Sequence, residues 1–119
     1  MLVWGGFYGT DFLDSGARYA ANSWASLAGA PPEGRADHTA VWIGNAQWMV
    51  IWGGSGATLA FLRTGAVYST ETHSWLGPTP TAPRGRRLHT AVSTGDAMII
   101  WGGQAMGGVR LGGGAIYTP

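Results

Sequence analysis

The stretch Met-Val-Ile-Trp-Gly-Gly at residues 49–54 decides the fold, because Met-x-x-Trp-Gly-Gly occurs two more times in the chain. The other copies begin at Met1 and Met98, which lie 48 residues before and 49 residues after Met49. A nearly constant period close to fifty residues indicates one supersecondary unit repeated along the chain. The most conspicuous residues are therefore parts of a repeat before they are candidate functional groups.

Three further landmarks recur in the same order. They are Arg-x-x-His-Thr-Ala-Val at 35–41 and 86–92, Gly-Ala-x-Tyr at 16–19, 65–68 and 114–117, and a lone Trp at 24 and 75. Each of them suits a β-strand, because β-branched and aromatic residues alternate with turn signals such as Gly44-Asn45. One unit thus predicts four antiparallel strands, A to D from the inside outward. The chain as a whole gives the strand pattern BCD-ABCD-ABC.

The pattern predicts specific strands A and B in two of the units. They are His38–Ile43 and Gln47–Trp52, followed one period later by Leu88–Ser93 and Ala97–Trp101. Gly-Ala-x-Tyr then opens strand C, and the lone Trp lies in a short strand D.

The order of these landmarks resembles the kelch motif, and their wording is similar to the Trp-rich kelch-like repeats of large bacterial proteins. The resemblance covers essentially the whole chain, and no Trp precedes an Asp, which argues against a WD-type repeat. It implies an all-β fold similar to the central domain of galactose oxidase: a partial kelch-type β-propeller with two to three four-stranded antiparallel blades. We expect a single partial domain over residues 1–119, with incomplete blades at about 1–27 and 86–119 and a complete blade at 35–77.

Met1 occupies the repeat position of Met49 and Met98, which lies inside a strand. We therefore expect the chain to be a fragment of a longer propeller whose missing blades are supplied in cis. The alternative is that a second copy completes the ring in trans.

Composition excludes several classes of protein. Net charge is +1, from seven Arg without any Lys, and the only basic cluster is Arg84, Arg86 and Arg87, so we expect no nucleic-acid binding. The chain has no Cys and therefore neither disulfides nor thiolate metal sites. It has no apolar run long enough for a membrane span. The residues fix no compartment, while resemblance to exported bacterial repeats favours an extracellular or periplasmic site.

Most candidate groups have a structural interpretation. His38 and His89 share one repeat position, as do Arg35 and Arg86, so we expect buried histidines bonded to backbone and arginines that tie strand A to a loop. Asp11 and Asp14 share a loop but give only a weak cation signal, and the sequence predicts no metal and no cofactor. Without Cys, the Tyr–Cys copper centre of galactose oxidase cannot form.

Function is then expected in the variable loops 7–15, 55–64 and 104–113, because propellers bind through loops on their faces. The candidate ligand contacts are Phe7, Tyr8, Asp11, Phe61, Arg63, Met106 and Arg110. We predict a non-enzymatic binding or scaffold module that recognises a protein or a glycan. The alternative is a fragment of a carbohydrate-active kelch-fold enzyme whose catalytic residues lie outside this chain.

Overall fold

A computed structural model describes all residues 1–119 and contains twelve β-strands and one short 3₁₀ helix. The strands are β1 Leu2–Trp4, β2 Phe7–Tyr8, β3 Asp11–Phe12, β4 Gly16–Ala20, β5 Ser23–Ser26, β6 Thr39–Ile43, β7 Trp48–Trp52, β8 Gly65–Ser69, β9 Ser74–Pro78, β10 Thr90–Ser93, β11 Met98–Trp101 and β12 Gly114–Tyr117. The helix covers Met106–Gly108.

The strands form three main antiparallel sheets in chain order. Sheet I has the order β1-β4-β5, sheet II β6-β7-β8-β9 and sheet III β10-β11-β12, while β2 and β3 form a separate small hairpin. The predicted all-β fold and the strand pattern BCD-ABCD-ABC are thereby confirmed. The three sheets are compatible with part of a β-propeller.

The three sheets repeat the same register. The Trp of each Trp-Gly-Gly run pairs with the Gly that opens strand C, as in Trp4↔Gly16, Trp52↔Gly65 and Trp101↔Gly114. A Cβ on Gly65 would lie 3.0 Å from Cδ1 of the Trp52 ring and closer still to backbone. The sequence repeat is therefore a packing repeat, since the carbonyl oxygen of the residue before each Trp, together with the indole ring, occupies the volume that any larger residue would need.

Sheet II lies between sheets I and III and supplies most of the core. On one side, Val50, Trp52 and Val67 pack with Met98 and Ile100 of sheet III. On the other side, Met49, Ile51 and Tyr68 pack with Trp4 of sheet I. Neighbouring strand residues point to opposite faces, so a single apolar run such as 49–52 fills both sheet interfaces.

The outer faces of sheets I and III carry the same residue types without a cover. On sheet I, Met1 is 71% exposed, whereas Met49 at the same repeat position is 5% exposed. On sheet III, Trp101 is 59% exposed, whereas Trp52 is 3% exposed. Each outer face thus repeats one half of an interface that is already formed inside the molecule.

All connections from strand B to strand C, and from strand D to the next strand A, lie at one end of the sheets, which we call the loop end. The short A–B and C–D turns lie at the other end, which we call the turn end. At the turn end, the Asn45 side-chain amide donates to the carboxylate of Asp96, which joins the A–B turns of sheets II and III.

Candidate functional site

The loop end is a continuous backbone ribbon that joins the three sheets. The segment before each strand A runs through the loop of the preceding sheet: Gly6 N–H donates to Arg35 O (2.8 Å), and Gly54 N–H donates to Arg86 O (2.8 Å). The same segments then bridge to their own sheets through Ala36↔Ser55 and Arg87↔Gln104. Loop side chains are therefore presented on a fixed base.

Arg35 and Arg86 connect the start of strand A to a loop through side-chain hydrogen bonds, as the sequence predicted. Arg35 is 1% exposed, and its Nη1 donates to Gly53 O (3.2 Å) and Thr64 O (2.6 Å). The Arg86 guanidinium makes the equivalent pair of bonds in sheet III, at 2.9 and 2.7 Å. Burial lowers the pKa of both guanidinium groups from the ordinary value. Each Arg closes one loop by crossing between its two ends.

His38 and His89 lie between sheets rather than in an open site. The His89 ring packs edge-on against Trp52 with centroids 5.2 Å apart, and the His38 ring packs against Trp4 at 5.5 Å. His89 Nε2 lies 2.7 Å from Thr39 Oγ1, and the backbone of Trp52 is also close enough to influence the ring, as the backbone of Trp4 is for His38. The Nδ1 atom of each ring is buried without a hydrogen-bond partner.

The surroundings of both histidines favour the neutral ring. Burial, with added contributions from the positive charge of Arg86 and from the neighbouring His38, lowers the pKa of His89 to about 4. Burial likewise lowers the pKa of His38, with an added contribution from Arg35. Neutral imidazoles fixed against indole rings are parts of the sheet interface.

The first loop contains a hairpin that the sequence analysis did not predict. Phe7 pairs with Phe12 and Tyr8 with Asp11 across strands β2 and β3. The rings of Phe7 and Phe12 lie 5.1 Å apart, while Tyr8 remains 79% exposed. The candidates Phe7, Tyr8 and Asp11 are thus brought together on one projecting hairpin.

The other four candidates lie in the second and third loops. Phe61 is half-buried and forms an isolated β-bridge with Ser55. The exposed Arg63 donates from Nε to Thr81 O (2.7 Å), in the segment that leads to sheet III. Met106 is 44% exposed in the 3₁₀ helix, and the exposed Arg110 forms an isolated β-bridge with Gln104. Where the side chains of the seven candidates make hydrogen bonds or ring contacts, these join residues of their own loop or of the segments that connect the sheets. No such contact joins a candidate of one loop to a candidate of another.

The structure adds a cluster that sequence reasoning missed: Asp37, Phe61, Arg87 and Gln104, which we call the Arg87 cluster. The Arg87 guanidinium lies 4.7 Å over the Phe61 ring, 3.7 Å from the Asp37 carboxylate and 3.4 Å from Gln104 Oε1. Arg87 occupies the repeat position of Ala36. A search for departures from the repeat, rather than for variable loops alone, would have found it.

The described chain brings together no group of three or more His, Cys, Asp or Glu side chains that could hold a metal ion. It also contains no helix with the length and hydropathy that crossing a membrane requires. The chain matches no protein-family profile and no curated protein.

Proposed function

We propose that this chain is part of a kelch-type β-propeller that acts as a non-enzymatic scaffold and recognises a protein or glycan partner at its loop end. One observation carries the proposal. The three loops close by the same backbone pairing, at Phe7↔Phe12, Ser55↔Phe61 and Gln104↔Arg110. A constant backbone that presents different side chains is the arrangement in which loops give specificity and the repeat gives rigidity.

The chemistry of the loop end supports recognition of a polypeptide in particular. An aromatic ring lies beneath an arginine in the Arg87 cluster, and Tyr8 in the first loop and Leu59 in the second are 79% and 93% exposed. Aromatic residues and Arg are the residue types that dominate binding energy in protein interfaces. Arg87 is also held on two sides, by Asp37 and Gln104, so little side-chain entropy is lost when a partner binds.

The outer faces of sheets I and III support the scaffold part of the proposal. Val92, Trp101 and Ile116 on sheet III are 57%, 59% and 67% exposed, and they occupy the positions of residues that face sheet III from sheet II. A further sheet of the same repeat fits each outer face, supplied by missing blades in cis or by a second copy in trans. Burying Trp101 alone contributes about 2–3 kcal/mol.

Site-specific photocrosslinking in the producing cell tests the proposal. A photoreactive residue is placed at Leu59 or Tyr8 on the loop end, and a matched one at the exposed Glu71 on the turn end. We expect a discrete crosslinked partner from the loop end alone, which Arg87→Ala then diminishes. Crosslinks of equal intensity at both ends, or at the turn end only, would contradict recognition by the loops. A glycan array probed with the wild type and Phe61→Ala distinguishes a saccharide partner.

A further inference from the structure

The inner edge of sheet I is open, because β1 pairs only with β4. Met1 O accepts a hydrogen bond from Tyr19 N–H (2.8 Å), and Gly5 N–H donates to Ser15 O (2.9 Å), so these residues point their backbone groups toward β4. Backbone groups alternate in direction along a strand. The N–H and C=O groups of Leu2 and Trp4 therefore face away from β4, toward a space where no strand lies.

The part of that space beside Leu2 is a groove of about 500 Å³ between sheets I and II. Met1, Leu2 of β1 and Tyr19 of β4 line one side of the groove, and Ala40 and Trp42 of β6 line another. Both are exposed, with Trp42 at 46%. Ala91, at the repeat position of Ala40, packs against the core between sheets II and III, where β6 lies beside β10. The exposure of Ala40 thus marks the position of a strand that sheet I lacks.

Two carbonyl groups of sheet I, beyond the groove toward the loop end, correspond to pairs of carbonyls that accept from an arginine in sheets II and III. In sheet II, Gly53 O and Thr64 O accept from Arg35, and in sheet III, Gly102 O and Gly113 O accept from Arg86. The corresponding atoms of sheet I are Gly5 O and Ser15 O, by their place beside the Trp-Gly-Gly and Gly-Ala-x-Tyr runs. These two carbonyls receive no guanidinium in this structure.

The His38 ring likewise lacks the threonine hydroxyl that contacts Nε2 of His89. His89 of sheet III contacts Thr39 Oγ1 of the strand A that precedes it. The ring of His38 has the same edge-on packing on the preceding Trp, but sheet I has no strand A that would present a threonine. The open edge of β1, the exposed Ala40, the two carbonyls without a guanidinium and the His38 ring are therefore all features that a strand A of the repeat would satisfy.

We infer that this groove binds an extended segment of the type Arg-x-x-His-Thr-Ala-Val, which adds to sheet I as a strand antiparallel to β1. Its backbone pairs with Leu2 and Trp4, and its arginine donates to Gly5 O and Ser15 O. Its threonine bonds Nε2 of His38, and its valine covers Ala40. Its histidine points to the opposite side and makes no contact with sheets I or II. Strand addition of this kind obtains affinity from main-chain bonds and specificity from alternate side chains.

A synthetic peptide with the sequence of residues 86–94 tests the inference, because it carries the pattern and contains no Trp. We expect saturable binding with one peptide per chain by calorimetry, and slower hydrogen exchange at the Leu2 and Trp4 amides. A peptide with Arg86→Ala should bind about tenfold more weakly or worse, since two bonds from a charged donor are lost. One with Thr90→Val should lose about fivefold. One with His89→Ala should bind like the parent.

The His38→Ala chain supplies the matched test on the protein side. Against this chain, Thr90→Val in the peptide should cost nothing further, because both changes remove the same bond. If His89→Ala in the peptide weakens binding as much as Arg86→Ala does, the inference is overturned, because the peptide would then bind without the predicted strand register.

A fused strand keeps the test decisive if the free peptide binds too weakly to measure. Residues 86–97 placed directly before Met1 retain the register, because Met98 and Met1 share a repeat position. The fusion should raise Tm and protect the Leu2 amide, and its Arg86→Ala version should do so less. If neither peptide nor fusion protects the Leu2 and Trp4 amides, the groove is not a strand site. Because this test reads β1 and not the loops, it can fail while loop-end recognition holds.

Discussion

Acid should weaken the fold through His89, and the size of the effect follows from where the ring lies. His89 is 6% exposed, packed on Trp52, with its Nε2 on the Thr39 hydroxyl. Burial, followed by the charge of Arg86 and the neighbouring His38, lowers its pKa from 6.5 to about 4. The unfolded chain therefore takes up a proton at a higher pH than the folded chain does. Stability from this group is complete above pH 6.5 and is lost as the pH falls to about 4.

The full shift would correspond to an upper limit of about 3 kcal/mol, at about 1.4 kcal/mol for each pH unit. Water can reach part of the ring's surroundings and local relaxation reduces the penalty, so we expect about 1–2 kcal/mol. His38, whose pKa is lowered for the same reasons, adds a smaller loss of the same sign. A loss of this size is a large share of the stability of a small domain.

Urea unfolding at a series of pH values between 4 and 8, followed by Trp fluorescence, measures the effect. The wild type is compared with His89→Gln, which cannot titrate. His89→Gln should lower stability at pH 7 and flatten the pH dependence by about 1–2 kcal/mol. If His89→Gln and the wild type show the same slope below pH 6.5, the neutral-ring argument is wrong.

Three other changes test the sheet interfaces. Arg35→Lys should cost about 2–4 kcal/mol in urea unfolding, because lysine lacks the Nε and Nη2 donors that bond Glu33 O and Thr64 Oγ1 beside the Nη1 bonds to the loop carbonyls; wild-type stability would show that these bonds do not hold the loop. Gly53→Ala should lower Tm more than Gly95→Ala does: both backbones have positive φ (+72° and +99°), but only the Cβ on Gly53 meets His89 Cε1, at 2.7 Å. Equal losses would show that strain alone matters. Trp101→Glu should abolish head-to-tail self-association of the chain in sedimentation velocity, and a wild type that is monomeric at every concentration would refute assembly in trans.

The strands could be predicted because alternation and the Gly-Gly pairs are local signals. The predicted strands His38–Ile43 and Leu88–Ser93 begin later in the structure, at Thr39 and Thr90. Asp37 and Leu88 have positive φ values of 56° and 55°, which break the extended run directly before each histidine. Asp tolerates that conformation and Leu does not favour it, so only one of the two positions carries a readable signal.

The loops were harder to predict because their pairing is a backbone property. Phe12, Phe61 and Arg110 are spaced 49 and 49 residues apart, so their equivalence can be read from the sequence, but their pairing with Phe7, Ser55 and Gln104 cannot, because the first loop is one residue shorter than the other two. The hairpin β2–β3 turns at Gly9, whose φ is +63°, and a Gly between two aromatic-containing pairs is a turn signal that could have indicated it. The Arg87 cluster joins residues from four separate segments, which only the fold brings together.

Leu88 combines a backbone conformation that the repeat explains with an exposed side chain that the repeat does not explain. It adopts a left-handed backbone that a Leu side chain disfavours, and that side chain is 63% exposed. The backbone is explained by the repeat, because Asp37 has the same conformation and each turn aims the next histidine at the preceding sheet. The exposed apolar side chain is not explained by the repeat, since an Asp serves equally well at that position. Its neighbour Arg87 also departs from the repeat and is half-exposed at the same end. These two neighbouring positions differ between the two copies of the repeat while the sheet packing is retained, so they are side chains on which the proposed recognition of a partner would depend.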